Sequence, residues 1–211
     1  MFDFSKYDVI VFDYDGVTID SMDYWYHLPS KFIKYKGYNP KPDLDETISY
    51  YLTYDVAKKF IDEYKIDSTV DDLLKEMDYF IDITYPTNKP MYKIIDLLKR
   101  LKDKKKIVFS SSPSKIVINS LKKNNLFDYF DTIYTSNEYN ISKYHTDGFE
   151  FIIEKLKMSK NKILVLDNDI RVVKASTDAG IDTILILDEY NKKLKDEVKD
   201  KVLGIYKISD L

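Results

Sequence analysis

Several residue types are absent or scarce in this chain of 211 residues, and each absence narrows the possible functions. There is no cysteine, which excludes disulfide bonds and thiolate metal sites. No run of about 18 uninterrupted apolar residues occurs, so we expect no transmembrane helix and no membrane partner. The N-terminal MFDFSKYD also lacks the pattern of a signal peptide. We therefore predict a cytoplasmic protein.

Arginine is also scarce, and the overall charge is slightly acidic. Arg100 and Arg171 are the only arginines, and the formal net charge is −3. The lysine-rich runs at 99–107 and 191–201 are interrupted by acids or followed directly by a strand, which is typical of solvated helix faces and loops. Because nucleic-acid binding needs a clustered basic surface, we predict no nucleic-acid partner. The sequence makes no prediction of the oligomeric state.

Short apolar runs alternate with amphipathic stretches along most of the chain. The runs are rich in β-branched residues and hardly alternate in polarity, which is typical of parallel strands buried on both faces. They lie at Asp8–Phe12, Lys106–Ser110, Asp131–Thr135, Lys162–Leu166 and Asp182–Leu187. Helical patterns separate them, and this alternation predicts an α/β fold with a doubly wound parallel sheet.

The regular spacing of the strands breaks once. Roughly 90 residues separate the first two predicted strands, whereas a single crossover helix needs far fewer. Most of that interval has helical patterns, including one over residues 45–65, and contains no convincing strand. We therefore predict a core domain of residues 1–22 and 86–211, with an all-helical domain of residues 23–85 inserted into it.

Acidic residues follow the first strand, at the edge of the sheet where open α/β folds bind their ligands. Asp13 and Asp15 are two positions apart, so in extended chain both carboxylates face the same side. Gly16 follows directly and allows a tight turn close to a ligand. This arrangement predicts two carboxylates that point into one crevice.

Polar residues also follow the later strands. Ser110, Ser111 and Ser112 precede a predicted helix, and hydroxyls with free amides at a helix N-terminus favour an anion site. Lys143 follows the third strand, and the DND run of residues 167–169 follows the fourth. Each of these features alone is more often a cap, a turn or a surface residue. Their combination and order indicate a site.

Four segments together resemble the motifs of the haloacid dehalogenase (HAD) superfamily of phosphohydrolases. They are DYDGVTIDS, IVFSSS, SKYHTDGF and LVLDNDIRVVKASTDAG. The first fits the family pattern DxDGx(T/V/I)xD over its whole length, and the third keeps its lysine but lacks both prolines. The resemblance covers essentially the whole chain and implies a Rossmann-like core. The helical insertion is similar to the small cap of β-phosphoglucomutase and phosphoglycolate-phosphatase relatives.

The resemblance implies an Mg²⁺-dependent phosphatase that acts on a small phosphorylated metabolite. Asp13 would attack phosphorus to form an aspartyl-phosphate, and Asp15 would protonate the leaving oxygen and then activate water. The phosphate-binding residues that it implies are Ser110, Ser111, Lys143 and Gly16. The metal ligands that it implies are Asp13, Asp15, Asn168 and Asp167.

Asn168 departs from the family pattern, because it stands where relatives usually carry a metal-binding acid. An amide oxygen can ligate a hard cation but brings no negative charge. We therefore expect Asn168→Asp to strengthen Mg²⁺ binding by about tenfold, corresponding to ~1.4 kcal/mol. If Asp169 is the true ligand instead, the substitution would have little effect.

The inserted helical domain is expected to choose the substrate, and it contains no arginine to clamp a second phosphate or carboxylate. Tyr24, Trp25 and Tyr26 offer an aromatic wall for a sugar or base, although packing inside the helical domain explains them more readily. Trp25 stands near the place of a cap histidine in β-phosphoglucomutases, which weakens a mutase interpretation.

Two alternatives to a phosphatase stay open. One is a sugar phosphotransferase or mutase, in which a sugar instead of water captures the aspartyl-phosphate. The other is a non-catalytic phosphate-binding protein whose metal site has decayed. Asn168 supports the second alternative, whereas the intact Asp13 and Asp15 speak against it, as do Ser110 and Lys143.

Overall fold

The structure is a computed structural model that describes residues 2–48 and 54–211. Part of the helical pattern predicted over residues 45–65 lies outside these ranges. The chain forms two compact units, one of Met1–Asp20 with Asn88–Leu211 and one of Ser21–Thr87. We call them the core unit and the helical unit. That the helical unit acts as a cap stays a prediction.

The core unit contains one parallel sheet. Its strands are β1 (Val9–Phe12), β2 (Lys105–Ser110), β3 (Thr132–Thr135), β4 (Ile163–Asp167), β5 (Asp182–Ile186) and β6 (Gly204–Tyr206), in the order β3-β2-β1-β4-β5-β6. This order confirms the predicted doubly wound α/β fold. The sequence did not predict β6, because it has only three residues and all of them are partly exposed.

The described residues include ten α-helices, five in each unit. Those of the helical unit are α1 (Met22–Tyr26), α2 (Leu28–Tyr35), α3 (Leu44–Ile48), α4 (Tyr54–Tyr64) and α5 (Val70–Thr84). Those of the core unit are α6 (Ile94–Arg100), α7 (Ser114–Lys123), α8 (Ser136–Tyr139), α9 (Thr146–Leu156) and α10 (Ile170–Asp178). None of the helices in the described parts of the chain is long and apolar enough to cross a membrane.

Strand β1 lies at the centre of the sheet, between β2 and β4. All four of its residues are buried, which explains why its sequence VIVF has no polar alternation. Apolar side chains from α9 and α10, such as Phe149 and Val172, join Val9 and Val11 in one core cluster. The strand order reverses at β1, and the carboxyl end of such a strand is where doubly wound sheets bind ligands.

The helical unit has an aromatic core of its own. Phe32 is fully buried. Its ring is stacked on that of Phe60, with the ring centroids 6.2 Å apart, and is edge-on to that of Phe80, with the centroids 5.5 Å apart. Tyr24 is also buried, and its hydroxyl is hydrogen-bonded to Thr84 Oγ1 at 2.9 Å. The Tyr24 ring meets the Trp25 ring edge-on at 5.4 Å. These contacts favour the packing interpretation of Tyr24 over a substrate wall.

Candidate active site

The chain leaves β1 through a tight, hydrogen-bonded loop that begins at Asp13. The backbone N–H of Asp13 donates to Leu166 O at 2.9 Å, so pairing with β4 continues one residue beyond the strand. Thr18 Oγ1 donates to Asp13 O at 2.6 Å. Gly16 has a φ of 77°, a left-handed conformation that glycine adopts without strain, and its N–H donates to Ile19 O at 2.8 Å. The loop therefore holds Asp13 in a defined position.

Lys143 lies between two buried carboxylates. Its Nζ atom is 2.5 Å from Asp13 Oδ1 and 2.9 Å from Asp167 Oδ2. The register of the sheet pairs Phe12 with Leu166, so the two aspartates that follow these residues emerge side by side. The sequence predicts these three residues at one edge of the sheet, and in the structure Lys143 contacts both aspartates directly.

Charge in this cluster is unbalanced, because one ammonium group faces two carboxylates. Burial and the negative charge of Asp167 raise the pKa of Asp13 well above its ordinary value, although Lys143 acts in the opposite direction. Burial likewise raises the pKa of Asp167. Burial by itself lowers the pKa of Lys143, but both carboxylates raise it more, so the lysine stays protonated. The cluster can therefore accept a further positive charge.

A close backbone approach positions the segment that carries Lys143. A Cβ atom added to Gly148, in the first turn of α9, would lie 2.1 Å from the carbonyl oxygen of Ser142. Only glycine allows this approach, which sets the residue before Lys143 against the helix. The Lys143 ammonium group also lies 5.7 Å from the centre of the buried Phe109 ring. This apolar neighbour limits the solvent that reaches the lysine.

The serine run after β2 contacts the second carboxylate of the first motif. Ser112 Oγ donates to Asp15 Oδ2 at 2.5 Å, and the backbone N–H of Ser112 donates to Ser110 Oγ at 3.0 Å. Ser110 and Ser112 are buried, whereas Ser111 is exposed. Since a hydroxyl that accepts one hydrogen bond keeps its own hydrogen, Ser110 can still donate to a phosphate oxygen. Ser110 and Ser111 were predicted from the sequence as phosphate-binding residues, whereas the contact of Ser112 with Asp15 was not predicted.

Asn168 is held by residues that the sequence analysis did not name. Its Nδ2 atom donates to Asp188 Oδ2 at 2.8 Å, and its backbone oxygen accepts a hydrogen bond from Asn191 Nδ2 at 3.0 Å. Both partners lie in the loop after β5. No sequence motif marks them, because their contact with Asn168 depends on the pairing of β4 with β5.

Asp169, the alternative metal ligand, is engaged by the first turn of α10. Its Oδ1 atom accepts hydrogen bonds from the backbone N–H and the Nε atom of Arg171, at 2.9 and 3.0 Å. Its Oδ2 atom lies 2.5 Å from Arg171 Nη2. The Arg171 guanidinium also stacks over the Tyr144 ring at 4.2 Å. Asp169 therefore caps helix α10 and forms an ion pair with Arg171, so both of its carboxylate oxygens are already engaged. This favours Asn168 over Asp169 as the metal ligand.

The donors near β1 and β4 suit a hard cation. In residues 2–48 and 54–211, no three His, Cys, Asp or Glu side chains form a group that could hold a metal ion. Asp13, Asp15 and Asn168 form a different donor set, of two carboxylates and one amide. All of the atoms with which they would hold a cation are oxygens. Within the described chain, Asp13 Oδ2 and Asn168 Oδ1 accept no hydrogen bond. Oxygen donors and excess negative charge are what Mg²⁺ prefers.

Strand β1 thus ends in two acidic residues, Asp13 and Asp15, and the buried Lys143 contacts the first of them. The model of the haloacid dehalogenase-like hydrolase family matches residues 10–186. The chain therefore belongs to the haloacid dehalogenase-like hydrolase family, which confirms the resemblance seen in the sequence.

Solved structures of similar fold come from several bacteria. A predicted phosphoglycolate phosphatase from Haemophilus somnus superposes with a TM-score of 0.79 at 15% identity, covering 98% of this chain and 96% of that one. A candidate β-phosphoglucomutase from Thermotoga maritima gives a TM-score of 0.76 at 17% identity, with 96% and 95% covered. A candidate HAD hydrolase from Bacillus subtilis, YfnB, was solved bound to magnesium and gives 0.73 at 16% identity, with 98% and 97% covered.

Proposed function

We propose that this chain is an Mg²⁺-dependent phosphatase that hydrolyses a small phosphorylated metabolite through an aspartyl-phosphate on Asp13. The observation that carries the proposal is the contact of Lys143 with Asp13 at the carboxyl end of β1, 2.5 Å from Nζ to Oδ1. Asp15 follows two residues later with its carboxylate held by Ser112. Membership of a hydrolase family supports the same chemistry.

In the first step, Asp13 attacks phosphorus and the phosphorus–oxygen bond to the leaving group breaks. Lys143 Nζ lies 2.5 Å from Oδ1 of Asp13 and holds the carboxylate in position for this attack. The bond electrons leave with the ester oxygen, and Asp15 donates a proton to that oxygen. The products of this step are an alcohol and an acyl phosphate on Asp13.

In the second step, water attacks the phosphorus of the acyl phosphate. Asp15, which gave up its proton in the first step, takes one from the water and returns to its starting form. The bond between phosphorus and the aspartyl oxygen breaks, which releases inorganic phosphate and restores the Asp13 carboxylate. One carboxyl group thus serves as acid and then as base.

Phosphate oxygens need positive charge and hydrogen-bond donors in both steps. Lys143 supplies the charge, and the Ser110 hydroxyl with the amides around Ser111, just before α7, supplies donors. Gly16 has no side chain, so the backbone of the loop after β1 is proposed to approach the phosphate closely there. A bound Mg²⁺ would offset the charge between carboxylate and phosphate.

Oxygen ligands for that cation are proposed from Asp13, Asp15 and Asn168. Asp167 was also predicted as a ligand, but its two oxygens accept hydrogen bonds from Lys143 Nζ and from the backbone N–H of Asp169, at 2.9 Å each. We therefore propose that Asp167 mainly anchors Lys143 and contributes charge to the cation site without direct contact.

We base the proposed substrate class on the composition of the helical unit, which is predicted to act as a cap. Residues 21–87 contain no arginine, so this unit lacks the bidentate group that best grips a second phosphate or carboxylate. We propose a metabolite with one phosphate, such as a sugar monophosphate or a nucleotide. The similar structures described as a phosphoglycolate phosphatase and a β-phosphoglucomutase are consistent with small phosphorylated substrates.

A screen of phosphorylated metabolites tests the proposal, with phosphate release measured in Mg²⁺ for the wild type and for Asp13→Asn. We expect at least one monophosphate to be hydrolysed by the wild type and none by the variant. Conversion of a sugar 1-phosphate that depends on added 1,6-bisphosphate, without net phosphate release, would show the mutase instead. Binding of phosphate esters without any turnover would show the non-catalytic alternative.

A further inference from the structure

The side-chain amide of Asn168 is oriented by a carboxylate from the neighbouring strand's loop. Asn168 is 5% exposed, and its Nδ2 atom lies 2.8 Å from Asp188 Oδ2. A carboxylate accepts hydrogen bonds, so the NH₂ group of the amide must face Asp188 and Oδ1 must face away. The contact therefore fixes which amide atom is available to a ligand.

Asp188 is itself held rigidly by the loop after β5. Its Oδ1 atom accepts hydrogen bonds from the backbone N–H groups of Tyr190 and Asn191, at 2.7 and 2.8 Å. The Asn191 side chain is 3% exposed and donates to the backbone oxygens of Asn168 and Ile186, at 3.0 and 2.8 Å. Hydrogen bonds thus engage both carboxylate oxygens of Asp188 and also connect this loop to the backbone of Asn168.

We propose that Asp188 is a positioning residue for the cation site, which restores through Asn168 the negative charge that the amide lacks. The inference rests on the proposed function, because it concerns the same Mg²⁺ site. A hydrogen bond from the amide NH₂ group to a carboxylate polarises the amide and makes its oxygen a stronger ligand. An amide oxygen backed by a carboxylate would thus take the place of the acid that the family resemblance implies at this position.

The network changes the expectation drawn from the sequence alone. Asn168→Asp would place a second carboxylate beside Asp188, at the 2.8 Å separation of the present hydrogen bond. Two carboxylates at that distance repel each other unless they share a proton. We therefore expect Asn168→Asp by itself to bring no gain in Mg²⁺ affinity. Replacing Asp188 by asparagine at the same time removes the repulsion, and the acid then meets an amide donor.

Mg²⁺ binding measured by calorimetry without substrate tests the inference on four variants of the whole chain. We expect Asp188→Asn to weaken binding about tenfold and Asn168→Asp to leave it unchanged or weaker. The double variant Asn168→Asp/Asp188→Asn should recover at least wild-type affinity. Glu189→Gln is the matched control, because it removes one charge from the same loop without touching Asn168, and it should change the affinity less than twofold.

The inference is overturned if Asp188→Asn binds Mg²⁺ as the wild type does, or if Asn168→Asp alone tightens binding tenfold. Recovery in the double variant separates a positioning role from a purely structural one, because a loop damaged by Asp188→Asn is not repaired by a second substitution. If the wild type hydrolyses phosphate esters and binds Mg²⁺ but the variants do not differ, only this inference fails. If the wild type binds no Mg²⁺, the proposed cation requirement and this inference fail together.

Discussion

The Lys143 ammonium group and the Asp13 carboxylate form a buried ion pair, 2.5 Å from Nζ to Oδ1, in which both side chains are at most 10% exposed. Removing one member of a buried pair leaves the other charge uncompensated, which is more costly than the pair itself is favourable. The effect on stability differs between the two residues, because Asp167 also contacts Lys143. Without Asp13 the lysine keeps one carboxylate partner, whereas without Lys143 both aspartates lose their ammonium partner.

Lys143→Met should abolish turnover and destabilise the protein by about 3 kcal/mol, because Asp13 and Asp167 are then left facing each other in a buried site. Urea unfolding and phosphate release measure the two effects. Lys155→Met, on the exposed face of α9, is the control and should change neither by much. A Lys143→Met variant with wild-type stability would contradict the assigned electrostatics.

In contrast to Lys143→Met, Asp13→Asn should stabilise the protein in the absence of divalent cations. The pKa of the Asp13 carboxyl is raised in the native state, so that state binds the proton more tightly than the unfolded chain. For a raised acid pKa, stability is lost as pH rises through the native pKa. The variant should therefore unfold at a higher urea concentration than the wild type at pH 7, with a smaller difference near pH 4.

Ser112→Ala should impair proton transfer by Asp15, because it removes the hydrogen bond at 2.5 Å that holds the carboxylate. We expect about a tenfold loss of kcat for alkyl phosphates and a smaller loss for an aryl ester, whose leaving group needs no proton. Ser111→Ala is a matched change among the serines proposed to bind phosphate, and it should affect both esters equally. Equal losses with Ser112→Ala would argue against its link to Asp15.

Gly148→Ala should displace the segment that carries Lys143, since the added Cβ would lie 2.1 Å from Ser142 O. A shift of about 1 Å at a catalytic group costs up to ~100-fold in rate, so activity should fall far more than helix content. Circular dichroism measures the helix content, and kcat measures the activity. Glu150→Ala, exposed in the same helix, should leave both near the wild-type level. Full activity of Gly148→Ala would show that the segment can adjust.

Much of the fold was predictable because most of its strands have a recognisable local sequence pattern. Central strands are buried on both faces, and runs such as VIVF at Val9–Phe12 carry that signal within a few residues. Strand β6 carries no such signal, since its three residues are half-buried at the sheet edge. The length of the gap after the first strand and the helical periodicity of its residues were the basis for predicting the insertion.

For the candidate site, the sequence predicted residues that belong to motifs continuous along the chain, but not the contacts between residues of different strands and loops. Asp13 and Asp15 belong to one continuous motif, and Lys143 was found through the family resemblance. The contacts of Ser112 with Asp15 and of Asp188 with Asn168 join residues 97 and 20 positions apart. A serine before a helix or an aspartate in a loop has many ordinary roles, so only the fold reveals these partners.

The most direct test of the account is to trap the aspartyl-phosphate in Asp15→Asn with an aryl phosphate as substrate. The aryl group leaves without a proton, but the variant lacks the base that activates water, so the intermediate should accumulate. We predict a burst of one phenolate per active site, and borohydride reduction followed by mass spectrometry should place the modified residue at Asp13. Absence of both the burst and the modified Asp13, with a wild type that hydrolyses the same ester, would contradict covalent catalysis by Asp13.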